Sequence, residues 1–160
     1  MASAAPISLG VGSATADGII GQGEYANFTT LSGIGFGATL SADSSMVTLA
    51  IQAPTSGWVS IGLGAGVMDG AWMLLAYDAT GKPAYSEQLG AGHFHQAVTT
   101  SKIQKRQIKA DGGSTVLEIQ VKTSDFIKDG KLPLILAYGK NPDFTSRHLR
   151  YAKTSLVVAP

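Results

Sequence analysis

Few side chains in this sequence are suited to chemistry, and they are unevenly placed. The 160 residues contain three histidines, His93, His95 and His148, and no cysteine. His93 and His95 stand in "GAGHFHQ". On a strand, positions i and i+2 project from one face, so this pair offers two imidazoles to Zn²⁺ or Cu²⁺. A third ligand is needed and no neighbour clearly supplies one; Gly90 and Gly92 suggest a loop in which the histidines are solvated or border a ligand pocket. His148 stands in "NPDFTSRHLRY" beside Arg147 and Arg150, on a chain otherwise sparing with charge. The stretch "SIGLGAGVMDGAWM" adds Met68 and Met73. A methionine near a strand end is most often core filler, but Gly64, Gly66 and Gly70 remove the neighbours on which Met68 would pack.

Several chemistries are unsupported. There is no G-x-S-x-G elbow, no H-E-x-x-H and no phosphate loop; "GLGAGVMDG" follows a strand without opening a helix. Its glycines leave room for a flat ligand to approach the backbone. Asp125 and Asp129 fall in loops at no special spacing. Without cysteine there is no disulfide, thiolate metal site or cysteine nucleophile. Charged residues are 14% of the chain and nearly cancel, giving a net charge of +1, so no nucleic-acid partner is expected. The run Lys102–Lys109 lacks interleaved aromatics and reads as a solvated strand face. No apolar run is long enough to span a bilayer.

The elements that must position these residues are strands. Leu117, Ile119 and Val121 alternate with Glu118, Gln120 and Lys122, and Val47, Leu49 and Ile51 repeat the pattern. Turn chemistry separates such runs at "SADSS", "DATGKP", "ADGGS" and "KDGKLP". Strands are predicted at 36–41, 46–53, 58–63, 71–77, 84–89, 102–109, 115–122, 132–138 and 151–158, with one helical turn at 123–128 capped by Thr123 or Ser124. Many short strands with almost no helical period predict an all-β antiparallel β-sandwich. Residues 1–16 form an N-terminal segment holding the first strand and, in Ala2-Ser3-Ala4, an A-x-A pattern of the kind that ends an export signal. Residues 17–160 form a single sandwich domain.

Three segments in order, "DGIIGQGEYANFTTL", "GWVSIGLGAGVMDGAWMLLAY" and "LILAYGKNPDFTSRHLRYAK", resemble the DOMON domains. The likeness is greatest to their haem-binding branch, which includes the cytochrome domain of cellobiose dehydrogenase and bacterial secreted b-type cytochromes. The resemblance implies an immunoglobulin-like antiparallel β-sandwich holding haem b non-covalently at one end, its iron ligated by one Met and one His. By position these are Met68, after G-W-V-x-I-G, and His148, in D-F-x-x-x-H. His93 and His95 remain alternatives to His148, and Met73 to Met68.

A Met/His pair leaves no open iron position, which suits electron transfer over catalysis at the metal; the resemblance implies an exported carrier, periplasmic or extracellular, serving a redox partner protein or domain and not an enzyme by itself. The absence of C-x-x-C-H agrees with non-covalent attachment. Trp58, Trp72, Met73, Phe94 and Tyr138 are candidate walls. Arg147, Arg150 and Lys153 are candidates to pair with the propionates or to dock a partner. The alternative is a carbohydrate- or other small-ligand-binding DOMON module without haem, using the flat faces of Trp58 and Trp72.

Overall fold

A computed structural model describes residues 6–18, 20, 21, 23–25, 27–91, 94–144 and 147–158. The A-x-A pattern and His93 lie outside these residues. The described residues form twelve strands and one helical turn: β1 Ile7–Leu9, β2 Asn27–Leu31, β3 Ile34–Leu40, β4 Met46–Ala53, β5 Val59–Leu63, β6 Trp72–Ala79, β7 Lys82–Ala91, β8 Phe94–Ala97, β9 Ile103–Asp111, β10 Ser114–Lys122, α1 Thr123–Phe126, β11 Lys131–Gly139 and β12 His148–Val158. They make a seven-stranded sheet, β1-β12-β11-β5-β6-β7-β8, and a five-stranded sheet, β2-β3-β4-β10-β9.

The all-β sandwich expected from the sequence is therefore present. It departs from purely antiparallel order at one pair, β1 running parallel to β12. β1 lies within the N-terminal segment expected to hold the first strand, and β2 and β8 are additional to the strands expected. The helical turn starts one residue earlier than a Thr123 cap would put it: Lys122 occupies the cap position, with no side-chain hydrogen bond.

Period-two patterning explains how the sheets meet. Phe36, Ala38, Leu49, Ile51, Leu117 and Ile119 of one sheet, and Val59, Ile61, Leu74, Leu134, Leu136 and Leu156 of the other, are buried in one cluster between them. Tight turns fix the register. β6–β7 and β9–β10 turn on Thr80–Gly81 and Gly112–Gly113, all four with positive φ, as two-residue hairpin loops with the right twist require. The charged run 102–109 lies mostly on β9, an edge strand, where lysine and arginine discourage pairing with another chain. Lys102 and Arg106 also cover aromatic rings, lying 4.7 Å from the Trp72 ring centre and 4.3 Å from that of Tyr85.

Candidate functional site

The seven-stranded sheet is apolar on both faces. Its inner face meets the other sheet, while its outer face carries a second buried cluster of Trp58, Ala71, Met73 and Leu75, with Tyr77, Ile135, Ala137 and Phe144 packed on it. Strand register sets this surface out in rows. Leu75, Ser60, Ala137 and Tyr151 lie side by side across β6, β5, β11 and β12; Met73, Gly62, Ile135 and Lys153 form the next row. The small residues Ser60, Gly62 and Ala137 make a trough along the middle. At Gly62 a Cβ would fall 2.6 Å from Ile135 Cγ1 and 3.2 Å from Met73 Cγ, so these side chains close over β5 only because position 62 has none.

Two loops fold over the trough from opposite ends of the sheet. β5 and β11 pair with Leu63 opposite Leu134 and Val59 opposite Tyr138, so the β5–β6 loop leaves one end and the β11–β12 loop the other. The first brings Gly66, Val67 and Met68. Its seat is on β7: Gly70 N–H donates to the Gly90 carbonyl at 3.0 Å, Gly90 N–H to the Ala71 carbonyl at 2.9 Å, and Ala71 N–H to the Met68 carbonyl at 3.0 Å. The second brings Phe144, Arg147 and His148. Phe144 leans on Tyr77 with ring centres 4.7 Å apart. The exit from β11 is held by the Thr55 hydroxyl, which donates to the Gly139 carbonyl at 2.6 Å.

Between loops and sheet lies a cavity of about 340 Å³, lined by Trp58, Ser60, Gly66, Val67, Met68, Met73, Leu75, Ile135, Leu136, Ala137, Phe144, Arg147, His148 and Tyr151. That size falls within the range of small-molecule and cofactor sites. The lining is mostly apolar. Its functional exceptions are the thioethers of Met68 and Met73, the Trp58 indole, the Ser60 hydroxyl, an imidazole, a guanidinium and a phenol. The His148 ring meets Tyr151 edge-on, with centres 4.8 Å apart and planes at 72°. Val67, Met68 and Tyr151 are exposed at 57%, 38% and 39%, an apolar mouth of the kind that marks a binding surface.

Of the residues singled out from the sequence, Trp58, Met68, Met73, Arg147 and His148 come together here. Trp72 does not. It faces the other way from Met73, packs against the inter-sheet core, carries Lys102 on its ring, and donates its indole N–H to Glu87 at 2.7 Å. Tyr138 is 6% exposed and belongs to the inter-sheet core. Arg150 stands opposite Tyr138, off the trough, and Lys153 lies in the second row without reaching the cavity lining. Phe94 and His95 are on β8 at the sheet edge, paired with Ala91 and Gly90; their side chains lie outside the described residues. Asp125 is in the first turn of α1 and not in a loop, and it lines a separate hollow with Trp72, Lys102, Lys128 and Lys131.

Leu75, Ile135, Ala137, Phe144 and Tyr151 were not anticipated. For Leu75, Ile135 and Ala137 the signal is present in "WMLLAY" and "LPLILAY", runs without polar alternation that mean a strand covered on both faces; Phe144 and Tyr151 lie outside those runs.

No family model matches the chain, and no curated protein sequence matches it. Solved structures do. The cytochrome b domain of pyranose dehydrogenase from Coprinopsis cinerea aligns with a TM-score of 0.58 at 17% identity, over 76% of this chain and 75% of that one. The cytochrome domain of Myriococcum thermophilum cellobiose dehydrogenase aligns with a TM-score of 0.58 at 14% identity, over 79% and 75%. A family 9 carbohydrate-binding module from Caldicellulosiruptor kristjanssonii, in complex with glucose, aligns with a TM-score of 0.57 at 10% identity, over 96% and 95%. The chain thus shares the β-sandwich fold of DOMON-type cytochrome domains and of a carbohydrate-binding module.

Proposed function

We propose that the cavity on the outer face of the seven-stranded sheet binds haem b and that the protein carries single electrons. The observation that supports this reading is the donor set: Met68 and His148, from loops leaving opposite ends of one sheet, line the same apolar cavity. That set fits the group. A thioether and an imidazole are neutral donors that a haem iron takes, and the apolar walls would supply the water-poor surround a porphyrin needs. Such a site lies against a sheet face, not at an end of the sandwich.

In this reading Met68 and His148 would hold the haem iron, a donor pair suited to electron transfer over catalysis at the metal. Bound haem supplies a one-electron Fe(III)/Fe(II) couple. The thioether favours Fe(II), raising the potential above that of a bis-histidine site. Leu75, Ile135, Ala137 and Phe144 exclude water, and Arg147 is placed to pair with a propionate. Exposure of the Val67–Met68 rim gives a partner protein access. Among the described residues no helix is long and apolar enough to cross a membrane. We place the carrier outside the cytoplasm, in line with the resemblance that first suggested it.

The sugar-binding alternative needs an open aromatic platform. Trp58 is 6% exposed, and the Trp72 ring is occupied by Lys102, so neither indole offers one. Haemin titration of the purified protein, followed by visible spectra before and after dithionite, tests the proposal. Low-spin spectra in the parent, turning high-spin in Met68→Ala and His148→Ala, are expected. No haemin uptake by the parent overturns it.

A further inference from the structure

The rings of His148 and Tyr151 touch, with centres 4.8 Å apart and planes at 72°, although three positions separate these residues on β12. A regular strand sends residues three apart to opposite faces. The pairing of β12 with β11 resolves the conflict. Tyr151 stands opposite Ala137 and Arg150 opposite Tyr138, but Gly139 is opposite His148, so Leu149 is left over as a β-bulge. Unbroken alternation from Tyr151 would put Leu149 on the trough side and turn His148 away. The extra residue restores the imidazole to the face of Tyr151 and Ala137. Both rings line the cavity, while Leu149 is exposed. The position opposite His148 is held from its other side: Gly139 N–H donates to the Trp58 carbonyl at 2.9 Å, and its carbonyl accepts the Thr55 hydroxyl at 2.6 Å. A bulge beside a binding site is a device for aiming one side chain.

We propose that the Leu149 bulge and the Tyr151 ring preset His148 over the trough before any ligand arrives, Tyr151 being a positioning residue for the imidazole. This role rests on the proposed haem binding and adds to it how the histidine is delivered and which way its plane turns. The bulge fixes the face. The edge-on contact with Tyr151 fixes the rotation of the ring. An imidazole free to turn loses that freedom on ligation, whereas one already held has less to lose. A neighbour that orients an iron-ligating ring also tunes the metal. The contact is ring against ring, so the phenol O–H is not required and phenylalanine at position 151 should serve. The Met68 side of the cavity is set differently, by the backbone hydrogen bonds that seat its loop on β7.

NMR of the isotope-labelled, haem-free protein tests the geometry: nuclear Overhauser effects between the His148 and Tyr151 rings, and between the α-protons of Gly139 and His148, are expected. Haemin titration and electron paramagnetic resonance of the ferric form test its use. Tyr151→Leu keeps an apolar wall without a ring. It should bind haemin about 2- to 10-fold more weakly and displace the g-values of the parent's low-spin ferric signal. Tyr151→Phe should recover both. A side chain that only walled the cavity would leave the g-values where they are. Tyr151 is exposed at the mouth, so neither change endangers the fold. Ring effects missing from the haem-free protein overturn the inference, as do parent affinity and parent g-values in Tyr151→Leu, and either result leaves haem binding by the parent standing. A parent that takes up no haemin overturns both.

Discussion

The substitution Gly90→Ala probes the seating of the Met68 loop without touching a candidate ligand. Gly90 lies in β7 directly beneath that loop. A Cβ there would collide with the Met68 carbonyl oxygen and come within 3.3 Å of Met68 Cγ. The obstacle is backbone, so no side-chain rotation relieves it and the loop must lift. Lifting strains the two hydrogen bonds that seat it, Gly70 N–H to the Gly90 carbonyl and Gly90 N–H to the Ala71 carbonyl. Overpacking costs about 1–3 kcal/mol, and a weakened hydrogen bond up to about 1 kcal/mol. A loss of about 3 kcal/mol lowers Tm by roughly 6–12 °C in a domain of this size. Differential scanning calorimetry measures that fall, and haemin titration reads its local consequence. The reduced spectrum should shift toward high spin, approaching that of Met68→Ala, although Met68 is still present. A Tm within about 2 °C of the parent, together with an unchanged low-spin spectrum, would refute the reasoning: the loop would not then be seated on β7.

Other expectations follow from the same coordinates. The Glu118 carboxyl is raised from 4.5 to about 7, by burial first and by Asp17 and Glu24 after it, so the folded state binds more protons than the unfolded one across that interval. Stability should therefore fall as pH rises from about 4.5 to 7 and level off above, by about 2 kcal/mol after allowing for the solvent that reaches Asp17. Urea midpoints of parent and Glu118→Gln should diverge in that window, and parallel curves would contradict the assignment. Gly139→Ala puts a Cβ onto the Trp58 indole nitrogen; a loss of about 1–3 kcal/mol in urea unfolding, with a shifted tryptophan emission, is expected. Leu134→Ala, emptying a fully buried position between the sheets, should cost about 2–5 kcal/mol by urea unfolding with the m-value unchanged.

Alternation made the central strands legible. β4 spans Met46–Ala53, the range its pattern predicts, because one face carries Val47, Leu49 and Ile51 into the core. β1 has three residues and pairs in parallel with the distant β12, so no local pattern marks it. β2 has Phe28, Thr29 and Thr30 exposed, and its register rests on pairing with β3 and not on a buried stripe. In the site, residue type was legible and side-chain direction was not. Met73 faces the cavity, whereas its neighbour Trp72 packs against the inter-sheet core; Tyr151 lines the cavity, whereas Tyr138, one row along on the adjacent strand, is in the core. One residue reverses the face, and a strand apolar on both sides gives no local cue to which is which.

That ambiguity is itself informative about function. A sheet packed on one side alternates apolar with polar residues, but β6 places Met73 and Leu75 outward as well as Leu74 and Ala76 inward, and β11 does the same with Ile135 and Ala137 against Leu134 and Leu136. The inner set is answered by the other sheet. The outer set is answered only by two short loops, and they leave a cavity with a thioether and an imidazole on its wall. Had the outer face served the fold alone, packing Leu or Phe between Leu75, Ile135 and Tyr151 would close it, at the density other protein interiors reach. The register instead puts Ser60, Gly62 and Ala137 along the centre line, the residues with least to pack. Small residues in the trough and large apolar ones on its banks are what a flat guest requires. Enlarging the trough floor is therefore a sharper test of a ligand site than trimming its walls: Ala137→Leu should hold or raise thermal stability while abolishing haemin uptake, and a variant that still bound haemin as the parent does would show that the trough is not where the ring lies.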